Sequence, residues 1–324
     1  MKNLEFNLGV AEDPRTPEQM VRDYSHKSLV GAPTIEWKEK TPEQWTRYVD
    51  REQDGSLSCM AQAGAKALEV MKKVFKMINE VYSAHPPYRS RLNFPSGGMW
   101  TQDLGDVYKK VGTTLESLDV SQRIGESEMN RDITVDTPFH IGGYAFPNCK
   151  SIDEIAEAIE THKHCVLTFH ANKSEWTDIP KFNGGEINFG HGICAVDYFI
   201  WKGEKAVLLE DSTGHFNSFD KKGARIITES YLKMRCTSAI YFTLEPPQYL
   251  FSVLMKQGSK GNEVKELQKR LNKEVPSIAP LVTDGDFGKK TKVKVVYYQE
   301  AHKLTPDGVV GKFTRAELNK PINA

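Results

Sequence analysis

A cysteine standing where small polar residues give way to a helix-forming segment is a candidate nucleophile. Gln53-Asp54-Gly55-Ser56-Leu57-Ser58-Cys59-Met60-Ala61 has that form, and Gln62 to Glu69 continues it with helix formers. The first turn of a helix carries unpaired N–H groups and a partial positive charge, and both favour a thiolate over a thiol. Gln53, six positions upstream, brings a side-chain amide to the same pocket. Such a cysteine needs a base. Gly190-His191-Gly192 supplies a candidate at the head of the apolar run Ile193-Cys194-Ala195-Val196, where the flanking glycines expose an imidazole at a strand end. Val207-Leu208-Leu209 then closes on Glu210-Asp211, which ends a buried strand with a carboxylate suited to orienting that imidazole. The chemistry these types can do is base-assisted attack of a thiol on a carbonyl, with amide donors holding the oxyanion.

The elements that must position them are legible in the hydrophobic pattern. Ala63, Ala67, Val70, Met71, Val74, Ile78 and Val81 recur at three-and-four spacing, which predicts a helix over 59–82. Its small early residues suit a buried central helix, and His85-Pro86-Pro87 ends it. Thr41-Pro42 reads as an N-cap with proline at N1, and further helices are expected at 101–111 and 151–161. Ser151 caps the latter, with Glu154 three residues on. From Cys165 the period changes, and strands are expected at 165–169, 192–200, 206–210, 224–228 and 239–244. Helices first and strands later argue for an α+β fold.

The order Gln, Cys, His, polar residue resembles the papain-like cysteine peptidases. Their Gln-Gly-x-x-Gly-Ser-Cys-Trp-Ala motif matches Gln53, Ser58, Cys59 and Ala61 without a gap. The family's histidine strand matches His191, Val196 and Tyr198, and its Asn-Ser-Trp-Gly turn matches Asp211, Ser212 and Gly214. Gly97-Gly98 looks like the double glycine that lines the substrate cleft, and Gly190 joins the expected substrate contacts. The resemblance covers residues 35–245. It implies a helical lobe beside an antiparallel β-barrel lobe, with Cys59 as nucleophile, His191 as base, Asp211 as orienting residue and Gln53 as oxyanion donor. There are departures. Asp211 replaces an asparagine, Met60 an aromatic residue and Ser56 a disulfide cysteine. Thr213 stands where the family has a tryptophan shielding the imidazole, so water is expected to reach that contact.

The tail is a different object. Asp284-Gly285-Asp286-Phe287-Gly288-Lys289-Lys290-Thr291 recurs 23 residues on as Asp307-Gly308-Val309-Val310-Gly311-Lys312-Phe313-Thr314. The glycines suit positive-φ turns, and each threonine lies near a helix start. With Gly258, Gly261, Val264, Leu267-Gln268, Leu271, Tyr298-Gln299 and Leu304, the tail resembles the small three-helix peptidoglycan-binding domain, with an insert at 274–282. The expected organisation is an N-terminal arm (1–33), a peptidase domain (34–246), a linker (247–253) and a peptidoglycan-binding domain (254–320).

Composition narrows the partners. Forty-three basic and 43 acidic residues balance, so no global field draws the chain to nucleic acid or an anionic membrane. The lysines of the tail read as a solvated face, because basic and aromatic residues do not alternate there. Five cysteines do not form a disulfide framework. His162, His164, Cys165 and His170 are too irregularly spaced for a metal site, and neither metal nor cofactor is expected. The first thirty residues read as neither signal peptide nor membrane anchor. The sequence therefore points to a peptidase made in the cytoplasm and acting at the bacterial wall on peptidoglycan peptides, as a phage-released or virion-associated lysin would. A wall-anchored protease acting on proteins, and an inactive wall-binding structural protein, are the alternative readings.

Overall fold

The computed structural model describes residues 34–48, 50–53, 55–213, 217–219, 223–244 and 251–319. They form two compact units, one ending at residue 244 and one starting at residue 251. The arm at 1–33, Gly214 and most of the expected linker lie outside the described residues.

The first unit opens with a single 3-10 turn, Pro42–Gln44, in which the Thr41 N–H donates to Gln44 Oε1. Five helices follow: α1 (Cys59–Lys76), α2 (His85–Arg89), α3 (Thr101–Lys110), α4 (Glu126–Met129) and α5 (Ile152–His162). A short strand, β1 (Gly143–Ala145), precedes α5, and β2 (Cys165–Ala171), β3 (Phe189–Trp201), β4 (Glu204–Glu210) and β5 (Ala224–Thr228) follow it. Helix α6 (Glu229–Arg235) and β6 (Cys236–Thr243) complete the unit. The strands make one antiparallel sheet in the order β1-β6-β2-β3-β4-β5, so the fold is α+β with helices early and strands late.

Helix α1 is the centre of this unit. Every residue from Cys59 to Met71 is buried, so the helix is surrounded rather than laid on a surface. Gln62, Lys66 and Glu69 go inside with it and are paired, as buried polar groups must be. Gln62 donates to the Ser121 carbonyl at 2.7 Å and accepts from Arg51 Nε at 2.9 Å. Glu69 pairs with Arg51, and Lys66 Nζ lies 2.5 Å from Glu210 Oε2. The helix stops at Lys76, short of the expected 82, because Met77 turns left-handed (φ 56°) and returns its N–H to the Lys72 carbonyl. Val74, in the exposed last turn, and Ile78 and Val81, beyond the stop, are surface residues. His85-Pro86-Pro87 begins α2 rather than merely ending α1; prolines in a first helical turn forfeit no hydrogen bond. Ser151 caps α5 as expected, accepting from the Glu154 N–H, while the Glu154 carboxylate takes the Asn148 N–H instead.

The second unit packs α7 (Asn262–Glu274), α8 (Lys289–Ala301) and α9 (Lys312–Leu318) around Leu267, Leu271, Phe287, Val295, Tyr298 and Val310. Phe251, placed in the linker by the sequence reading, is buried in this core. The repeated Asp-Gly motifs are twin turn locks. Gln268 Nε2 donates to Asp284 Oδ1 (2.8 Å) and the Asp286 carbonyl (3.0 Å), while its Oε1 accepts the Gly285 N–H (2.9 Å). Gln299 does the same with Asp307 Oδ1 (2.9 Å), the Val309 carbonyl (2.9 Å) and the Gly308 N–H (2.8 Å). Gly285 and Gly308 both have positive φ (80° and 72°), which is why the motif needs glycine there. The insert at 274–282 is pinned by Asn272, bonded both ways to the Leu281 backbone, and by the buried ammonium of Lys294 on Asn272 Oδ1. Among the described residues, no helix is long and apolar enough to cross a membrane.

Candidate active site

The sequence-predicted nucleophile, base and orienting carboxylate converge. Cys59 opens α1, His191 lies near the start of β3, and Asp211 directly follows β4. The approach of β3 to α1 depends on Gly192. Its N–H donates to Cys59 Sγ at 3.3 Å, and a Cβ there would fall on the Met60 sulfur and lie 3.1 Å from the Met60 Cα. Only glycine lets the strand come this close. The imidazole Nε2 meets Asp211 Oδ1 at 3.0 Å, which leaves Nδ1 for the hydrogen bond with Cys59. Cys59, His191 and Asp211 are 1%, 2% and 2% exposed, so the set works in a medium that screens charge poorly.

Burial alone would lower the His191 pKa, but the Asp211 carboxylate and the Cys59 sulfur outweigh it and raise the imidazole to about 9. Burial pushes the other way on Asp211, yet His191 and Arg225 hold its carboxyl far below the usual carboxylate range. The pair is therefore imidazolium and carboxylate at neutral pH.

Gln53 is held by the segment that carries Asp211. Its backbone N–H donates to the Ser212 carbonyl (2.8 Å), and its Oε1 accepts from Ser212 Oγ (2.7 Å). One amide hydrogen goes to the Ser56 carbonyl at 3.0 Å, and the second has no acceptor among the described residues. Ser56 Oγ donates back to the Gln53 carbonyl at 2.9 Å and meets Ser58 Oγ at 2.7 Å, so the loop is braced where the family has a disulfide cysteine.

Gly97 and Gly98 sit against the same loop. A Cβ at Gly97 would overlap Leu57, while Gly98 takes positive φ (78°). Gly98 is turned inward, its N–H donating to the Tyr88 hydroxyl at 3.3 Å, and Asn93 Nδ2 donates to both glycine carbonyls (3.2 and 3.1 Å). Gly97, half-buried, is the more available of the two. Glu126 joins this loop to the Cys59 loop, accepting the Leu57 N–H (2.7 Å) on one oxygen and the Tyr88 hydroxyl (2.6 Å) on the other. Gly190 is buried opposite His170 in the β2–β3 ladder.

Two residues that the sequence reading did not single out complete the site. Trp176 packs edge-on to the His191 ring, with centroids 5.6 Å apart, and its indole N–H points to Asp211 Oδ2 at 3.4 Å. It supplies, from a different segment, the aromatic cover that Thr213 lacks, and the expected access of water to the His191–Asp211 contact is not found. Arg225 on β5 donates from Nε to Asp211 Oδ2 at 2.5 Å and from a terminal nitrogen to the Trp176 carbonyl at 3.2 Å. A lone arginine within the apolar run Ala224-Arg225-Ile226-Ile227 was the available signal, because a charge in a buried strand requires a partner. Trp176 had no comparable local signal.

Of the histidines weighed for metal, His164 has other work. His164 is wholly buried, accepts the Phe242 N–H on Nε2 (2.9 Å) and so donates from Nδ1 to the His162 carbonyl (2.8 Å); burial lowers it to about 4. Among the described residues, no three His, Cys, Asp or Glu side chains converge as a metal-binding group.

Comparison with known proteins agrees with this architecture. Residues 260–318 match the family model described as a putative peptidoglycan binding domain. A 66-residue stretch is 38% identical to a zinc D-Ala-D-Ala carboxypeptidase of Streptomyces albus G, covering 20% of this chain and 26% of that protein. Among solved structures, xylellain, a cysteine protease from Xylella fastidiosa, superposes with a TM-score of 0.57 at 15% identity, over 73% of this chain and 95% of its own. The ragweed pollen cysteine protease Amb a 11 in its proform does so with a TM-score of 0.53 at 18% identity, over 76% and 77%. The chain thus joins a papain-like cysteine-protease fold to a C-terminal peptidoglycan-binding domain.

Proposed function

We propose that this chain is a thiol-dependent peptide-bond hydrolase directed to the bacterial cell wall, where it cuts the peptide part of peptidoglycan. The observation that carries the proposal is the convergence of Cys59, His191 and Asp211 at the head of α1 in a chain that also carries a peptidoglycan-binding domain. His191 takes the Cys59 proton, and the thiolate attacks the carbonyl carbon. The Cys59 N–H and the second Gln53 amide hydrogen hold the oxyanion, each donor typically worth ~3–4 kcal/mol. As the tetrahedral adduct collapses, the imidazolium gives its proton to the leaving amine. Water, deprotonated by His191, then cleaves the thioester and restores the thiol. Gly97, the half-buried one of the three glycines, lines the cleft for the extended peptide, while Gly98 and Gly190 are buried behind it. The C-terminal domain raises the enzyme's concentration at its polymer without entering the chemistry. A phage-released or virion-associated lysin fits this arrangement.

Purified protein incubated with sacculi, and separately with a protein substrate, tests the reading. Cleavage of sacculi that disappears in Cys59→Ala is the expected result. Unchanged activity in Cys59→Ala overturns the nucleophile assignment. Cleavage of proteins alone moves the substrate from wall peptide to wall-associated protein. A chain ending at residue 249 should no longer sediment with sacculi, and retained binding would remove the targeting role from the C-terminal domain.

A further inference from the structure

An aspartate facing a buried histidine brings a full charge where an amide brings none, and a site built around it needs a counter-charge. The fold provides one. The Asp211 N–H bonds to the Gly223 carbonyl at 2.6 Å, extending the β4–β5 ladder beyond the Glu210–Ala224 pair. Arg225, two residues beyond Gly223, therefore shares a sheet face with Asp211. Its Nε reaches Asp211 Oδ2 while His191 holds Oδ1, and the Thr213 N–H also donates to Oδ1 at 3.1 Å. The guanidinium lies 5.2 Å from the Trp176 ring centre and bonds to the Trp176 carbonyl, so it fixes the cover over His191 as well. It is 4% exposed.

We infer that Arg225 is a positioning residue that neutralises and orients Asp211, so that a carboxylate serves His191 in the place an amide would otherwise occupy. The inference rests on the proposed thiol chemistry. Cys59, His191, Asp211 and Arg225 then form a buried set whose charges cancel in the ion-pair state. Removing Arg225 leaves one net negative charge beside the imidazole; removing only the Asp211 charge leaves an unpaired buried guanidinium. Among the described residues, the nearby carboxylates are already engaged. Glu175 is paired with Arg235, and Glu210 with Lys66 and Arg47. His170 stands opposite Gly190 on β2.

The test compares Arg225→Gln, Arg225→Lys, Asp211→Asn and the double variant Asp211→Asn/Arg225→Gln in the full chain. Two profiles are read against pH: kcat/KM on a peptide substrate, and the alkylation rate of Cys59 by iodoacetamide, which needs no substrate. Arg225→Gln should move the basic limb upward by about one pH unit, because an uncompensated carboxylate holds the imidazolium more tightly. Arg225→Lys should keep the limb near its original place. Asp211→Asn should lose at least ~100-fold in kcat/KM, the size expected when a buried pair is broken. The double variant should recover at least ~10-fold of that loss, which a merely structural arginine would not allow. A limb unmoved in Arg225→Gln, or a double variant no better than Asp211→Asn, overturns the inference. If Arg225→Gln does not fold, the charge-balanced double variant carries the test. If wild type hydrolyses nothing, the alkylation profile still decides the role of Arg225, while the hydrolase reading alone falls.

Discussion

The proposed catalytic centre and the two turn locks of the C-terminal unit both rest on a polar side chain holding an aspartate, yet they are assembled in opposite ways. Each lock is local. Gln268 reaches Asp284 and Gln299 reaches Asp307, each glutamine also taking the N–H of the next glycine, and the same bonds recur with nearly the same lengths. The proposed centre draws one residue each from a helix N-terminus, the start of one strand, the end of another, a sheet-edge strand and a loop. A local lock depends on its own turn. A distributed centre depends on each element reaching the right distance, so its most vulnerable positions are not all chemical ones.

That difference can be broken experimentally, and the largest expected effect falls on a residue with no side chain. Gly192→Ala should cut kcat/KM by roughly 100-fold or more, because a Cβ in the Met60 contact forces β3 away from Cys59. Binding to sacculi should stay intact, and a separate sedimentation assay checks it. In the C-terminal unit, Gln268→Ala and Gln299→Ala should each destabilise by about 2–4 kcal/mol, the cost of leaving a buried glycine N–H without an acceptor and losing further bonds. Denaturant unfolding measures this, and peptide hydrolysis should be unaffected. Equal effects of the two substitutions would support a true duplication; strongly unequal ones would show that only one turn is a lock.

The next prediction concerns pH. His191 is raised to about 9 when folded, against ~6.5 for an ordinary imidazole, so its ion pair stabilises the fold fully below ~6.5 and loses that contribution as pH rises through about 9. The Tm advantage of wild type over His191→Gln should shrink across that interval. The local locks have no histidine, so a variant broken at Gln268 should differ from wild type by the same amount at both ends of the interval. The smallest effect belongs to the cover. Trp176→Ala should lower kcat/KM about tenfold, the scale of one hydrogen bond to a charged group, with loss of activity on added salt as water and ions reach Asp211.

The same difference explains what the sequence made legible. The Asp-Gly repeat, with its glutamine in the neighbouring helix, is written in short spacings, so the three-helix unit was readable almost whole. In the larger unit, the meeting of Cys59, His191 and Asp211 was readable because each sits near an element boundary marked by small residues or by the end of an apolar run, and Gln53 was readable from its spacing to Cys59. The strands from β2 onward were also readable from their apolar runs. The end of α1 was not, since its stripe continues into residues that the αL turn at Met77 leaves on the surface. Trp176 and Arg225 were missed for another reason. Arg225, a lone charge in an apolar run, signalled that it needed a partner, but its meeting with Trp176 comes from the docking of a connection on β5, where the Ile226 N–H bonds to the Asp178 carbonyl, and no local pattern encodes that. Thr213 suggested an unshielded site because the shield was sought in the neighbouring sequence rather than across the sheet.

The proposed reaction is the opening of a peptide bond in the wall polymer by the thiolate made at Cys59. Mass spectrometry of fragments released from sacculi tests it most directly. Fragments with new free amino and carboxyl termini within the peptide, absent when Cys59→Ala is used, are the expected result. New reducing sugar ends, or the same peptide fragments from Cys59→Ala, would contradict it.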